Sequence, residues 1–304
     1  MSLAGLKYFL TKPGGWFFFL SSRGLLNWMD DEAYIRRVFK YSLGYELDLE
    51  HPKTFNEKLN WLKLHDRKPL YTRIVDKYEV KQYVAEKIGP EYVVPVIAGP
   101  WDSVDEIDFD ALPERFVLKC THDSGGVVIC RDKASFDREA AKAKLGKALR
   151  RNYYWSNREW PYKDVKPRVF AEQYLEDESG ELRDYKVMCF NGVPRLIQVH
   201  KGRFMTHTQD FYDPDWNLLP ITQELPSSGA RTPRPACLEE MLRLSRILAA
   251  DFVQIRVDWY LLGERLYLGE LTFFDGAGYA DFEPASYNRI VGDWLQLPAE
   301  DRRP

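Results

Sequence analysis

The stretch RVDWYLLGERLYLGELT, residues 256–272, constrains the fold more than any other part of the chain. Strand-forming residues fill it on both sides of a break near Gly263, so it reads as two antiparallel strands over a short turn. Each arm carries one carboxylate, Asp258 and Glu270, in an otherwise apolar setting. With a three-residue loop at 263–265, residue 258 faces 270 and residue 256 faces 272. Strand alternation then puts Arg256, Asp258, Glu270 and Thr272 on one face, and Val257, Trp259 and Leu271 on the other. Two facing carboxylates repel unless a cation or a proton sits between them. Mg²⁺ takes oxygen ligands, typically one or two carboxylates plus nucleotide phosphates. Arg256 on the same face suits a transferring phosphoryl or acyl-phosphate oxygen. A slip of one residue would send the two carboxylates to opposite faces.

The bulk chemistry narrows the partners. A net charge of −3 argues against nucleic-acid binding through bulk charge, so phosphate binding needs a local cationic cluster. Cys120, Cys130, Cys189 and Cys237 lack zinc-site spacing and read as reduced, mostly buried thiols of a cytoplasmic protein. The histidines form no metal-binding pattern. No apolar run reaches the roughly 18 residues of a membrane span. The aromatic start, LKYFLTKPGGWFFFL, either packs on the fold or lies against the inner face of a membrane as a peripheral contact.

The period of the apolar residues divides the chain. Residues 30–90 read as helical. DDEAYIRRVFKYSLG stops at Gly44, TFNEKLNWLKLHDR opens with the capping-box pair Thr54 and Glu57, and VDKYEVKQYVAEKIG ends at Gly89. Strand patterns follow in YVVPVIAG, RFVLKC, GVVIC, RVFAEQYL, DYKVMCFNG and PRLIQVHKGRF. Helices are expected at 134–152 and 237–251. The Pro-rich stretch 220–236 reads as a solvent-exposed connection or an active-site flap. The class is α+β. The expected division is a helical N-terminal region at 1–75, one subdomain at 76–171 and a second at 172–304.

Three further constellations suit a nucleotide. In FVLKCTHDSGG a strand ends at Lys119 and a turn carries Ser124, Gly125 and Gly126, where backbone N–H groups can approach phosphate oxygens. Lys77 stands at a helix start, an awkward place for a cation; a bound anion or a pair with Asp76 would relieve the conflict. RVFAEQYL reads as an edge strand whose backbone at Gln173, Tyr174 and Leu175 suits a flat base, with Glu172 for its amino group.

Taken in order, these pieces resemble the ATP-grasp superfamily, and within it the TupA-like branch found with polysaccharide-biosynthesis proteins. TFNEKLNWLKLHDRKPLYTRIVDKYEVKQYV, LPERFVLKCTHDSGG, DYKVMCFNGVPRLIQV and RVDWYLLGERLYLGELTFFDGAG carry the likeness, over roughly residues 35–297. The resemblance implies two α+β subdomains clasping ATP. It implies phosphate contacts from Lys77, Lys119 and Lys186, closure of the 123–126 loop, adenine held at 172–175 and ribose at Asp184. Mg²⁺ would be held by Asp258 and Glu270. Many members have Asn where Thr272 stands, and the Thr272 hydroxyl is the weaker neutral ligand for a second metal position. The implied activity is an ATP-dependent carboxylate–amine ligase acting through an acyl phosphate, with a sugar-acid or amino-acid acceptor of a bacterial surface polysaccharide. Alternatives are a sugar kinase, a glycosyltransferase and a non-catalytic nucleotide-binding component of the assembly machinery. Arg168, His200 and Arg203 are candidate anion or sugar contacts.

Overall fold

Helices come first, as the apolar spacing predicts. The computed structural model describes residues 14–176, 184–202 and 206–298. Within them α1 spans Gly15–Ser22, α2 Asp31–Leu43, α3 Phe55–His65, α4 Pro69–Val75 and α5 Glu79–Ile88. The Asp30 carboxylate caps α2 by accepting from the N–H groups of Glu32 and Ala33, and Gly44 ends it at φ 83°. Thr54 and Glu57 form the expected reciprocal capping box at the start of α3.

Two antiparallel sheets follow. The first contains β1 (Val96–Trp101), β2 (Phe116–Cys120), β3 (Val127–Cys130) and β4 (Val169–Gln173), in the order β1-β4-β2-β3. Helix α6 (Arg138–Leu149) covers one face of it, with Leu145 packed among Phe116, Leu118, Val169 and Ala171. The second contains β5 (Asp184–Phe190), β6 (Val193–Lys201), β7 (Thr208–Tyr212), β8 (Leu218–Leu219), β9 (Gln254–Leu262) and β10 (Arg265–Thr272), in the order β10-β9-β5-β6-β7-β8. One face of this sheet forms the main core: Val187, Ile197, Val257 and Trp259 pack with Leu59 of α3, Val84 of α5, and Leu244 and Leu248 of the helix at Leu238–Ala249. The opposite face is polar and looks toward the first sheet.

Strand order corrects one expectation. β4 is not an edge strand. It pairs with β1 through Val96↔Glu172 on one side and with β2 through Val117↔Glu172 on the other. The N–H of Gln173 donates to the Pro95 carbonyl at 2.9 Å. The backbone at 172–173 is therefore already committed within the sheet, and a flat base can find backbone groups only beyond the strand end, at Tyr174 and Leu175.

The hairpin reaches the expected pairing by a different route. Its turn has two residues, not three, because Leu262 pairs with Arg265. Continued regularly, that turn would set Gly269 opposite Asp258 and bring Glu270 beside Val257, on the core face. A bulge between Leu268 and Glu270 shifts the register by one and restores Glu270↔Asp258 and Thr272↔Arg256. The core side of β10 changes parity there: Leu266 and Leu268 before the bulge, Leu271 and Phe273 after it. Gly269 suits the bulge because a Cβ there would lie 2.9 Å from the Tyr260 ring and 3.3 Å from the Asp258 carbonyl. Gly269→Val is expected to destabilise the fold by about 1–3 kcal/mol through overpacking. Urea unfolding reads this directly, and an unchanged midpoint would refute the close approach.

At the N-terminal end Phe17 packs against Tyr34 and Val38, while Trp16, Leu25 and Trp28 stay exposed. Among the described residues no helix is long and apolar enough to cross a membrane. The Pro-rich stretch is fastened rather than loose. Ser227 and Ser228 donate to the buried Asp210 carboxylate, and Thr222 pairs through its backbone with Glu283.

Candidate functional site

Between the polar face of the second sheet and the first sheet, where Val117, Val127 and Ile129 line it beside Lys119, lies a cleft of about 970 Å³. Strand alternation supplies its lower wall. Asp258 and Tyr260 of β9, Glu270 of β10, Asp184 and Lys186 of β5, and His200 of β6 all line it. The upper wall holds Lys119 of β2, Ser124 and Gly125 of the turn that follows, and Glu172 to Leu175 at the end of β4. Lys77 closes one side. Of the site residues singled out in the sequence, Arg168, Arg256, Gly126 and Thr272 do not line the cleft. Gly126 instead shapes the turn: its N–H donates to Asp123 Oδ1 and its carbonyl accepts from Cys120.

The carboxylates are heavily partnered. Arg256 donates from Nε and Nη2 to the two oxygens of Asp258, each at 2.7 Å, and from Nη1 to Asp275. Lys186 reaches both Asp258 and Asp184. Burial would raise the pKa of Asp258, but Arg256 and then Lys186 more than offset this and hold it below the usual range. Glu270 is the open member of the pair, with 36% of its side chain exposed and Lys77 Nζ at 3.5 Å. Burial pushes its pKa up, and Lys77 leads the charges that bring it below the usual range. Thr272 offers a hydroxyl 3.4 Å from Arg256 Nη2. Among the described residues no three His, Cys, Asp or Glu side chains gather into a metal cage. Asp258 and Glu270, directly opposed on one face, fit a hard divalent ion of the Mg²⁺ type, which takes few protein carboxylates.

The adenine-side reading changes in its details. The Glu172 carboxylate is held by Lys119 and, at 3.0 Å, by Lys81. Desolvation would raise its pKa, yet these two lysines keep it low, so it stays an acceptor. Lys119 thus balances Glu172 as well as facing the cleft. Lys81 was missed in the sequence although it lies one helical turn beyond Lys77 in DKYEVK, the spacing of a shared face. Lys77 does not pair with Asp76, whose carboxylate accepts from the N–H groups of Tyr78 and Glu79 and from Arg168. Arg168 also bonds Glu79 at 2.9 Å, so it latches α5 to β4 and is not a cleft residue. His200 lines the cleft and shares a hydrogen bond with His207 at 3.1 Å. Arg203 lies outside the described residues.

A second layer went unread. Asp275, in the turn Asp275–Gly278, accepts from Arg256 and from Gln198 Nε2 at 3.2 Å. That turn is gripped from α3. Lys63 donates to the Ala277 carbonyl, Asn60 to the Gly278 carbonyl at 2.8 Å, and Asn56 to the Ala280 carbonyl at 3.0 Å. Positions 56, 60 and 63 lie on one helix face, and all three side chains are buried. Buried Glu159 lies close enough to Lys63 and Arg256 for their charges to act on it, although burial dominates and raises its pKa.

The family model described as TupA-like ATPgrasp matches residues 57–296, most of the chain. The chain belongs to the TupA-like ATP-grasp family. Solved structures similar to this family member include a D-alanine–D-alanine ligase from Helicobacter pylori. It is 16% identical, with TM-score 0.42, and the match covers 80% of this chain and 69% of that one. A carboxyaminoimidazole ribonucleotide synthase from Aspergillus clavatus, complexed with ATP, is 13% identical over 75% of this chain and 53% of that one, TM-score 0.42. A D-alanine–D-alanine ligase from Bacillus anthracis, complexed with ATP, is 17% identical over 73% of this chain and 64% of that one, TM-score 0.41. This chain therefore spans about half to two thirds of the length of these proteins. No curated protein matches it.

Proposed function

We propose that this chain is an ATP- and Mg²⁺-dependent carboxylate–amine ligase that works through an acyl phosphate. The observation that carries the reading is the cleft itself: lysines on both walls, a glycine turn above, and two opposed carboxylates on the floor. Lys77 and Lys186 face the phosphate end, and Glu172, Tyr174 and Leu175 face the base. Mg²⁺, when bound at Asp258 and Glu270, neutralises phosphoryl charge. The acceptor carboxylate attacks the γ-phosphorus and the bond to the β-phosphate oxygen breaks. An amine then attacks the acyl carbon, loses a proton, and the C–O bond to phosphate breaks. Arg256, held on Asp258 and Asp275, contributes a fixed positive field beside the reacting groups. A sugar acid or amino acid of a bacterial surface polysaccharide as acceptor rests on the family resemblance.

The test is incubation with ATP, Mg²⁺ and a panel of uronic acids and amino acids. ADP, free phosphate and a new amide in equal amounts support the ligase. A stable phosphorylated sugar would replace it with a kinase, and turnover of a nucleotide-sugar with a glycosyltransferase. ATP binding without turnover on any acceptor would favour the non-catalytic role. Lys77→Met tests the phosphate assignment separately. It is expected to weaken ATP by about tenfold, or about 1.4 kcal/mol, and leave adenosine unchanged. Equal losses for both ligands would make Lys77 structural.

A further inference from the structure

An ionised carboxylate offers about four lone-pair positions. On Asp258 three are taken: Arg256 Nε donates to Oδ1, and Arg256 Nη2 and Lys186 Nζ both donate to Oδ2. One position remains, on Oδ1. Lys186 is the cross-strand neighbour of Asp258, its ammonium also lies 3.0 Å from Asp184, and it lines the cleft. An ammonium has three N–H donors. One is donated to Asp258, and Asp184 is an ion-pair neighbour at 3.0 Å, so donor capacity remains for a ligand in the cleft. Thr272, the third member of the predicted metal set, offers only a neutral hydroxyl that Arg256 already approaches.

We infer that this site takes a single divalent ion, on Glu270 and the remaining Oδ1 position of Asp258, and that the Lys186 ammonium stands in for a second ion at the phosphates. The inference rests on the ATP-binding reading above. A second ion would need further oxygen ligands beside those that hold the first. Here Arg256 and Lys186 cover Oδ2 of the more buried carboxylate. The fixed charge costs no ion binding, and contacts with Asp258 and Asp184 position it.

Equilibrium dialysis of the whole chain with Mn²⁺ and a non-hydrolysable ATP analogue tests this by counting ions. The expected result is one bound Mn²⁺ per bound analogue, with free Mn²⁺ read by electron paramagnetic resonance. Two Mn²⁺ per analogue would overturn the proposal. Lys186→Met is expected to weaken the analogue tenfold or more with adenosine unaffected, whereas Lys186→Arg keeps the charge and most of the affinity. A Lys186→Met protein that binds the analogue as the wild type does would equally overturn it. The wild-type ion count depends on no variant folding. Absence of any analogue binding to the wild type, with or without Mn²⁺, would instead end the ATP-binding reading.

Discussion

Asp258→Asn is expected to lower folding stability by about 3 kcal/mol, while Glu270→Gln stays within about 1 kcal/mol of the wild type. Both should cut turnover at least about 100-fold, equivalent to some 3 kcal/mol of lost transition-state stabilisation. The two carboxylates oppose each other on neighbouring strands, so geometry alone treats them as equals. Their surroundings do not. The Asp258 side chain is 2% exposed and balances both Arg256 and Lys186. Neutralising it leaves two buried cations short of countercharge, a costly state in a poorly solvated site. Asp275 and Asp184 remain to each of them, so the cost falls at the lower end of the range for broken buried pairs. Glu270 is more open and closes no comparable network. The pH dependence follows the same logic. The folded-state pKa of Asp258 is depressed, so its contribution is present above the unfolded value near 4 and is lost as pH falls through the lower folded value. Asp258→Asn should remove that acid limb from the stability curve. Chemical denaturation from pH 7 down to about 3 reads both effects, and equal stability of the two variants at neutral pH would refute the difference.

What the sequence made legible was local. Alternation set Arg256, Asp258, Glu270 and Thr272 on one face, and capping chemistry placed the start of α3. The turn length was misjudged, yet a signal for the bulge was present. In LYLGELTF the apolar positions change parity across Gly269, which no regular strand can do without turning its core face to solvent. The interior place of β4 had no local signal, because strand order depends on which distant segments arrive on either side. The inward face of α3 was hidden for a related reason. Asn56, Asn60 and Lys63 are polar residues of the kind usually found on the solvent side of an amphipathic helix. Their partners lie at residues 157 and 277–281, far along the chain, and only those carbonyls make burial of such groups tolerable. Arg168 was ambiguous because an arginine near a nucleotide site can meet phosphate or carboxylate, and its position in the sequence does not distinguish the two; Lys81 shows a shared face with Lys77 by its spacing, but that spacing does not name Glu172 as its partner.

The second large effect is expected at Lys63, remote from the cleft wall. Lys63→Met should cost about 3 kcal/mol of stability and lower turnover several-fold while leaving ATP affinity near the wild-type value. The side chain is fully buried. Its ammonium donates to Asn60 Oδ1, to the Asn157 carbonyl and to the Ala277 carbonyl, and it lies 4.1 Å from the centre of the Tyr279 ring. Methionine fills much of the same space but leaves those acceptors without their donor, each at a cost of about 1–3 kcal/mol before relaxation. The turn it holds is conformationally demanding. Ala277 has φ 52°, a left-handed conformation that costs a residue with a Cβ roughly 1–2 kcal/mol. Released from Lys63, the turn has reason to relax, and Asp275 at its start would then hold Arg256 less firmly. On the proposed reading the base lies beside Glu172, whose ion pairs run to Lys81 and Lys119 and not to this turn, so nucleotide binding should persist. Asn60→Ala should act in the same direction and by less, since it removes one donor to the Gly278 carbonyl and one acceptor for Lys63. Turnover and ATP titration measured on the same folded preparation separate the outcomes. If ATP affinity falls in step with turnover, Lys63 is a general fold contact and does not position Arg256.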